Sequence, residues 1–221
     1  MAALDAEIMV FSARELRRRA EGMLTPPRDM AHIAMEGTAH MSDLRLNPEL
    51  GEANSDDATR AAAVLVPIVA REPEATVLLT ERPKHLAAHA GQVAFPGGKM
   101  DEADPAPLDT ALREAREEIG LDPALVRPIG FLDLYQTVTN FRVAPLVALV
   151  SPDFEPVLDP SEVADAFEVP LRFLMSPENH HIHSLVYGGR ERFYYAMPYG
   201  DRYIWGATAG ILHNLYERLY R

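Results

Sequence analysis

From about Leu108 to Ile119 the sequence has the period of a helix whose sides require different surroundings. Glu114, Glu117 and Glu118 stand at i, i+3 and i+4, so at roughly 100° per residue their carboxylates share one face. Leu112, Ala115 and Ile119 are read onto the opposite face, as the apolar anchor for a sheet. Gly120 follows in the position that ends a helix with a left-handed residue, and Pro123 lies just beyond it. Like charges at this spacing destabilise an isolated helix. Such a stripe is either a solvated face or the ligand set of a hard, oxygen-seeking cation, and its neighbours decide between the two.

The apolar side needs a partner, and the flanking sequence provides one. Ala61 to Ala70 and Ala75 to Thr80 are apolar and rich in Val and Leu; the turn residues Arg71 to Glu74 part them, and they read as paired strands. Gln92 to Phe95 is a further short strand, stopped by Pro96-Gly97-Gly98. Ile129 to Tyr135 and Arg142 to Val150 read as strands, Val163 to Phe173 as mixed helix and strand. His181 to Tyr187 and Glu191 to Ala196 form a hairpin through Gly188-Gly189, and Trp205 to Tyr220 reads as a closing amphipathic helix. The expected fold class is α/β (α+β), a mixed β-sheet sandwiched between α-helices. Residues 61–221 are assigned to that domain. Residues 1–60 are read as a loop-rich leader with one short helix over residues 12–21, Ser12 its N-cap and Glu15 at the capping-box position, ended by Thr25-Pro26-Pro27.

The formal net charge is −12, from 33 acidic residues against 21 Lys and Arg, which argues against a nucleic-acid partner, because a polyanion requires a basic surface. A small anionic substrate stays compatible, since a bound divalent cation reverses the local field. The chain has no cysteine, so disulfides, thiolate metal sites and cysteine nucleophiles are excluded. Neither a signal-peptide apolar core nor a run of roughly 20 apolar residues is present. The expected setting is the cytoplasm, with no membrane partner.

Arg113 through Leu121 reads REAREEIGL, with Gly97 and Gly98 upstream. This resembles the second half of the Nudix box, Arg-Glu-apolar-x-Glu-Glu-x-Gly-apolar, at every specified position. The first half departs. Gly98 lies fifteen residues before Arg113 where the general pattern needs fourteen, and Pro105 occupies the place of the first glutamate, with Asp104 its natural substitute. LLTERPKHLAAHAGQVAFPGG, from Leu78 to Gly98, is similar to the signature of the coenzyme A pyrophosphatase branch, whose members also carry the longer loop. Pro83 and Ala87 depart from it, standing for a small residue and for a second arginine; Lys84, His85 or Lys99 are candidates to compensate. The run IWGATAGIL also resembles the closing helix of bacterial members, so the likeness covers about residues 62 to 218.

The resemblance implies a Nudix hydrolase that uses Mg²⁺ or Mn²⁺ to cleave a pyrophosphate bond in a nucleoside diphosphate derivative. Coenzyme A or an acyl-CoA is the foremost substrate, giving 3′,5′-ADP and a 4′-phosphopantetheine product. ADP-ribose, NADH or a dinucleotide is the alternative, and a non-catalytic Nudix-fold binding module is a third. Glu114, Glu117 and Glu118 are the implied metal ligands, with Glu117 and Arg113 in catalysis and Glu162 as general base or further ligand; Glu155 and Asp159 are weaker candidates for that role. Arg82, Phe95, Gly97 and Gly98 are assigned to substrate binding. His180, His181 and His183 lack the ligand count and spacing of a zinc site. Trp205 and Tyr203 are read as core or interface packing. Met30, Met35 and Met41 are read as flexible leader or homodimer contact.

Overall fold

The computed structural model describes residues 9–30, 41–42, 45–48, 59–86 and 89–221. Two ten-residue strands, β2 (Arg60–Val69) and β8 (Phe141–Val150), form its centre as a parallel pair in register from Arg60↔Phe141 to Val69↔Val150. Both are apolar on their two faces, the pattern of strands covered on both sides. Ala63, Leu65 and Val69 point into one core, while Ala62, Val66 and Ile68 point into the other. A helix layer therefore covers each face.

Around that pair lie β1 (Met41–Ser42), β3 (Thr76–Glu81), β4 (Val93–Ala94), β5 (Gly97–Lys99), β6 (Val126–Phe131), β7 (Tyr135–Gln136) and β9 (Asp165–Pro170), giving nine strands in one mixed sheet. A separate three-stranded antiparallel sheet contains β10 (His181–Tyr187), β11 (Arg190–Tyr199) and β12 (Arg202–Trp205). Helix α2 (Pro107–Ile119) packs Ala111, Ala115 and Ile119 on one face of the large sheet. Helices α1 (Ala13–Ala20) and α4 (Gly206–Leu219) pack Leu16, Ala20, Ile211, Leu212 and Leu215 on the other; α3 (Leu171–Met175) is a single short turn after β9. The sheet is sandwiched between helices, as expected from the order of elements. Among the described residues no helix is long and apolar enough to cross a membrane.

Several local expectations are corrected. Strand β4 ends at Ala94, ahead of Pro96 as expected, but Gly97-Gly98 then opens β5, antiparallel to β2 at Ala62↔Lys99, Ala63↔Gly98 and Val64↔Gly97. Trp205 is the last residue of β12, and the closing helix begins at Gly206. Ile129 to Tyr135 is two strands, with a register shift between Pro128 and Gly130. In α1 Ser12 caps the helix through the Glu15 N–H at 3.2 Å, but the Glu15 carboxylate turns to Arg18 and Arg19 rather than back to Ser12. That helix stops at Ala20, before Thr25. Ala87 and Met35 lie outside the described residues.

Candidate active site

Helix α2 turns a different residue to the sheet from the one its sequence suggests. Leu112 is only half-buried, and Ala111 takes its place in the core. Projected at roughly 100° per residue, the buried arc runs from Glu118 through Ala111 and Ala115 to Ile119, so the acidic face adjoins the apolar face instead of opposing it. Glu118 lies where the two meet and is only 4% exposed. Gly120 closes the helix at φ 67° and ψ 21°, its N–H donating to the Arg116 carbonyl at 3.0 Å.

Arg113 is held from both sides. Its Nε and Nη2 donate to the Asp104 carboxylate at 3.1 and 3.0 Å, and its Nη1 lies 2.9 Å from Glu114 Oε1 and 3.0 Å from Glu117 Oε2. Asp104 is 7% exposed and also accepts from Thr110 Oγ1 at 2.8 Å and the Asp101 N–H at 3.0 Å. The residue that replaces the first box glutamate thus anchors the arginine. Arg113, with the Asp101 and Thr110 donors, holds the Asp104 carboxyl down at about 2. Stability from a depressed carboxylate is present above the unfolded pKa and is lost as pH falls through the folded one. Asp104→Asn is accordingly expected to cost about 2 kcal/mol at pH 7, with its deficit shrinking between pH 4 and pH 2, by urea denaturation across that range. A deficit independent of pH would contradict this role.

Glu118 and Glu114 reach β5 from α2, and the charge of Glu162 acts on both. The Gly97 N–H donates to Glu118 Oε2 at 3.2 Å. A Cβ added to Gly98 would lie 2.6 Å from Glu114 Oε1, so glycine is what lets the backbone pass beside that carboxylate. Glu162 arrives on a loop pinned to the end of α2: the Val157 N–H donates to the Ile119 carbonyl and the Asp159 N–H to the Glu118 carbonyl, both at 3.0 Å. Val163, buried against the α2 core, completes the placement. Of the weaker candidates, Asp159 is engaged by the Ser161 hydroxyl and N–H, and Glu155 is exposed.

Burial pushes the Glu118 carboxyl up to about 7, and the charges of Glu114 and Glu162 add to the rise against the Gly97 N–H and Arg82. Glu114 is also pushed up, by burial first, with Glu117 and Glu162 contributing against Arg113. Among the described residues no three His, Asp or Glu side chains are already gathered as an ion cage, and Arg113 Nη1 lies against both Glu114 and Glu117. The donor set nevertheless suits a hard divalent cation: all ligand atoms are carboxylate oxygens, two of them on groups that burial and mutual repulsion hold in tension.

Beyond Gly97 the site opens into a cleft of about 630 Å³ between the large sheet and β10–β12, floored by Val64, Phe95, Val143 and Ile211. Arg82 lines its edge; its Nε is screened from solvent and has no hydrogen-bond partner among the described residues. Phe95 is buried in the core with its surface forming part of the floor. Lys84, His85 and Lys99 are exposed. Trp205 and Tyr194 line the cleft with their rings 5.2 Å apart. His180 turns inward to His213, Nδ1 to Nδ1 at 2.9 Å, while His183 meets the Tyr203 hydroxyl at 2.7 Å. The cleft wall made by Asn47 and Phe193 carries no motif and is invisible in the sequence.

A family model described as the NUDIX domain matches residues 59–187. The chain is 40% identical over 156 residues to the protein named "Uncharacterized Nudix hydrolase NudL" of Escherichia coli strain K12, covering 71% of this chain and 81% of that one. The same figures hold for the protein of that name in E. coli O139:H28. Among solved structures, DR0079 from Deinococcus radiodurans aligns with a TM-score of 0.48 at 14% identity, over 76% of this chain and 90% of that one. This chain belongs to the Nudix hydrolase family.

Proposed function

We propose that this enzyme hydrolyses the diphosphate bridge of coenzyme A or an acyl-CoA, yielding 3′,5′-ADP and 4′-phosphopantetheine or its acyl form. The observation that carries the reading is that α2 sets Glu114 and Glu118 against β5, next to a largely apolar cleft lined by Gly97 and Arg82. Glu114, Glu117 and Glu118 would hold a divalent cation, Mg²⁺ or Mn²⁺. When bound, such an ion lowers the pKa of a coordinated water and offsets charge on phosphoryl oxygens. Arg113, tied to Asp104, sets the side-chain directions of Glu114 and Glu117. The Glu162 carboxylate takes a proton from the attacking water. Water oxygen bonds to one phosphorus, the bond from that phosphorus to the bridging oxygen breaks, and the oxygen departs on the other phosphate.

Arg82 supports the choice of substrate. It lines the cleft, and a planar guanidinium is suited to a phosphate, which it engages through two parallel bonds. Pro83 and Ala87 support the second reading, another nucleoside diphosphate such as ADP-ribose, because a second arginine is missing from the motif. Turnover with Mg²⁺ and Mn²⁺ across a panel decides. The expected result is a kcat/KM for coenzyme A at least about tenfold above those for ADP-ribose, NADH and a diadenosine polyphosphate. Equal or faster turnover of the others would overturn the substrate and leave the chemistry standing.

A further inference from the structure

Strand β12 pairs with β11 only from Ala196 to Tyr199, so among the described residues the edge of β11 before Ala196 has no strand partner on that side. At Phe193 a single side chain fills the gap. The Phe193 N–H donates to Asn47 Oδ1 at 2.7 Å, and Asn47 Nδ2 donates to the Phe193 carbonyl at 2.7 Å. Both backbone groups of one strand residue point to the same edge in an antiparallel ladder, so the carboxamide completes that edge as a neighbouring strand would. Asn47 is 1% exposed, and its carboxamide is matched donor for acceptor, the arrangement in which a buried amide is tolerated.

What this bond holds is a wall. Asn47 and Phe193 both line the cleft that begins at Gly97. The same segment is tied to α4 by Arg45, whose Nη1 lies 3.0 Å from Glu217 Oε2, and Met41 pairs with Tyr135 of β7. Residues ahead of β2 thus contact both α4 and the small sheet and line the cleft. The floor opposite is apolar, and the charged residues of the lining are Arg82 and Arg192.

Resting on the substrate reading above, we infer that Asn47 is a positioning residue for specificity: it fixes the wall against which the non-nucleotide arm of the diphosphate, an extended chain of amide and alkyl groups, is packed. An apolar floor suits that arm better than a polyhydroxylated or charged one. The contact is made equally in ground and transition states, so its loss raises KM and spares kcat.

The test compares the full-length wild type with Asn47→Ala and Asn47→Asp, the latter keeping the acceptor for the Phe193 N–H while opposing its carbonyl. Two substrates are used: the diphosphate that the wild type turns over best, and the β-methyl ester of ADP, whose second substituent is one carbon. Asn47→Ala is expected to raise KM for the first by about tenfold with kcat within twofold. It should leave kcat/KM for the methyl ester within twofold, and Asn47→Asp should fall between. An unchanged KM for the long substrate would overturn the inference, and so would an equal loss on both substrates, which marks a general structural role. If the best wild-type substrate is not coenzyme A, the substrate reading has failed, and the wall is still judged by the same pair of comparisons on the substrate that replaces it.

Discussion

Glu118→Gln is expected to abolish turnover while making the metal-free protein more stable. The loss of activity should be on the order of a thousandfold in kcat, about 4 kcal/mol of transition-state stabilisation. The gain in stability follows from where the carboxylate sits. Glu118 is 4% exposed, and its pKa is pushed up to about 7 by burial and by Glu114 and Glu162. Between its ordinary value of 4.5 and about 7 the native state binds the proton that the unfolded chain has released. Stability therefore falls as pH rises through that window, and above it the ionised side chain costs on the order of 3 kcal/mol. Glutamine removes the charge and keeps an oxygen for the Gly97 N–H. In metal-free protein the variant should match the wild type near pH 4.5 and unfold later at pH 8. A variant that loses activity and stability together at pH 8 would show that Glu118 is structural.

The adjacent glycines should separate fold from chemistry. In Gly97→Ala the new Cβ would lie 2.5 Å from the Ala63 carbonyl oxygen and 2.6 Å from Val64 Cα, at a φ of 153° that side chains rarely adopt. Both atoms are backbone of β2, which is fixed in register to β8 and cannot yield. Strand β5 must leave its place, so the variant should lose about 3 to 5 kcal/mol or fail to fold. In Gly98→Ala the obstacle is the end of the Glu114 side chain, which can swing away. That variant should melt within a few degrees of the wild type and yet lose about a hundredfold in activity. Thermal melts and kcat on the pair of variants check both statements. Equal stability losses would contradict the assignment of Gly97 to the sheet and Gly98 to the acid site.

Legibility followed the range of the interactions. The centre of the sheet could be read because β2 and β8 are long and apolar on both faces, and α2 because its period, its Gly120 terminator and its acidic residues agree. Three misreadings share a cause, which is that tertiary contact outweighed local preference. Gly97-Gly98 reads as a breaker, but in β5 the missing side chains allow close approach to β2 and Glu114. Trp205 reads as helix from its neighbours, but it ends a strand built on a two-residue turn at Gly200 and Asp201. Leu112 outranks Ala111 in hydrophobicity, but the sheet lies so near α2 that the small residue faces it. At the site the acids were legible because they are adjacent in sequence. The position of Glu162 depends on bonds from Val157 and Asp159 to the end of α2, which no spacing rule contains. The pairing of Asn47 with Phe193 spans 146 residues and carries no motif at all.

The central claim is that Glu114, Glu117 and Glu118 share one divalent cation. The most direct measurement is anomalous scattering at the manganese edge from crystals of the protein soaked in Mn²⁺. The expected result is a peak bounded by those three carboxylates, with Arg113 still tied to Asp104, and no such peak in crystals of Glu118→Gln. Crystals that bind manganese elsewhere, and none beside these carboxylates, would contradict it.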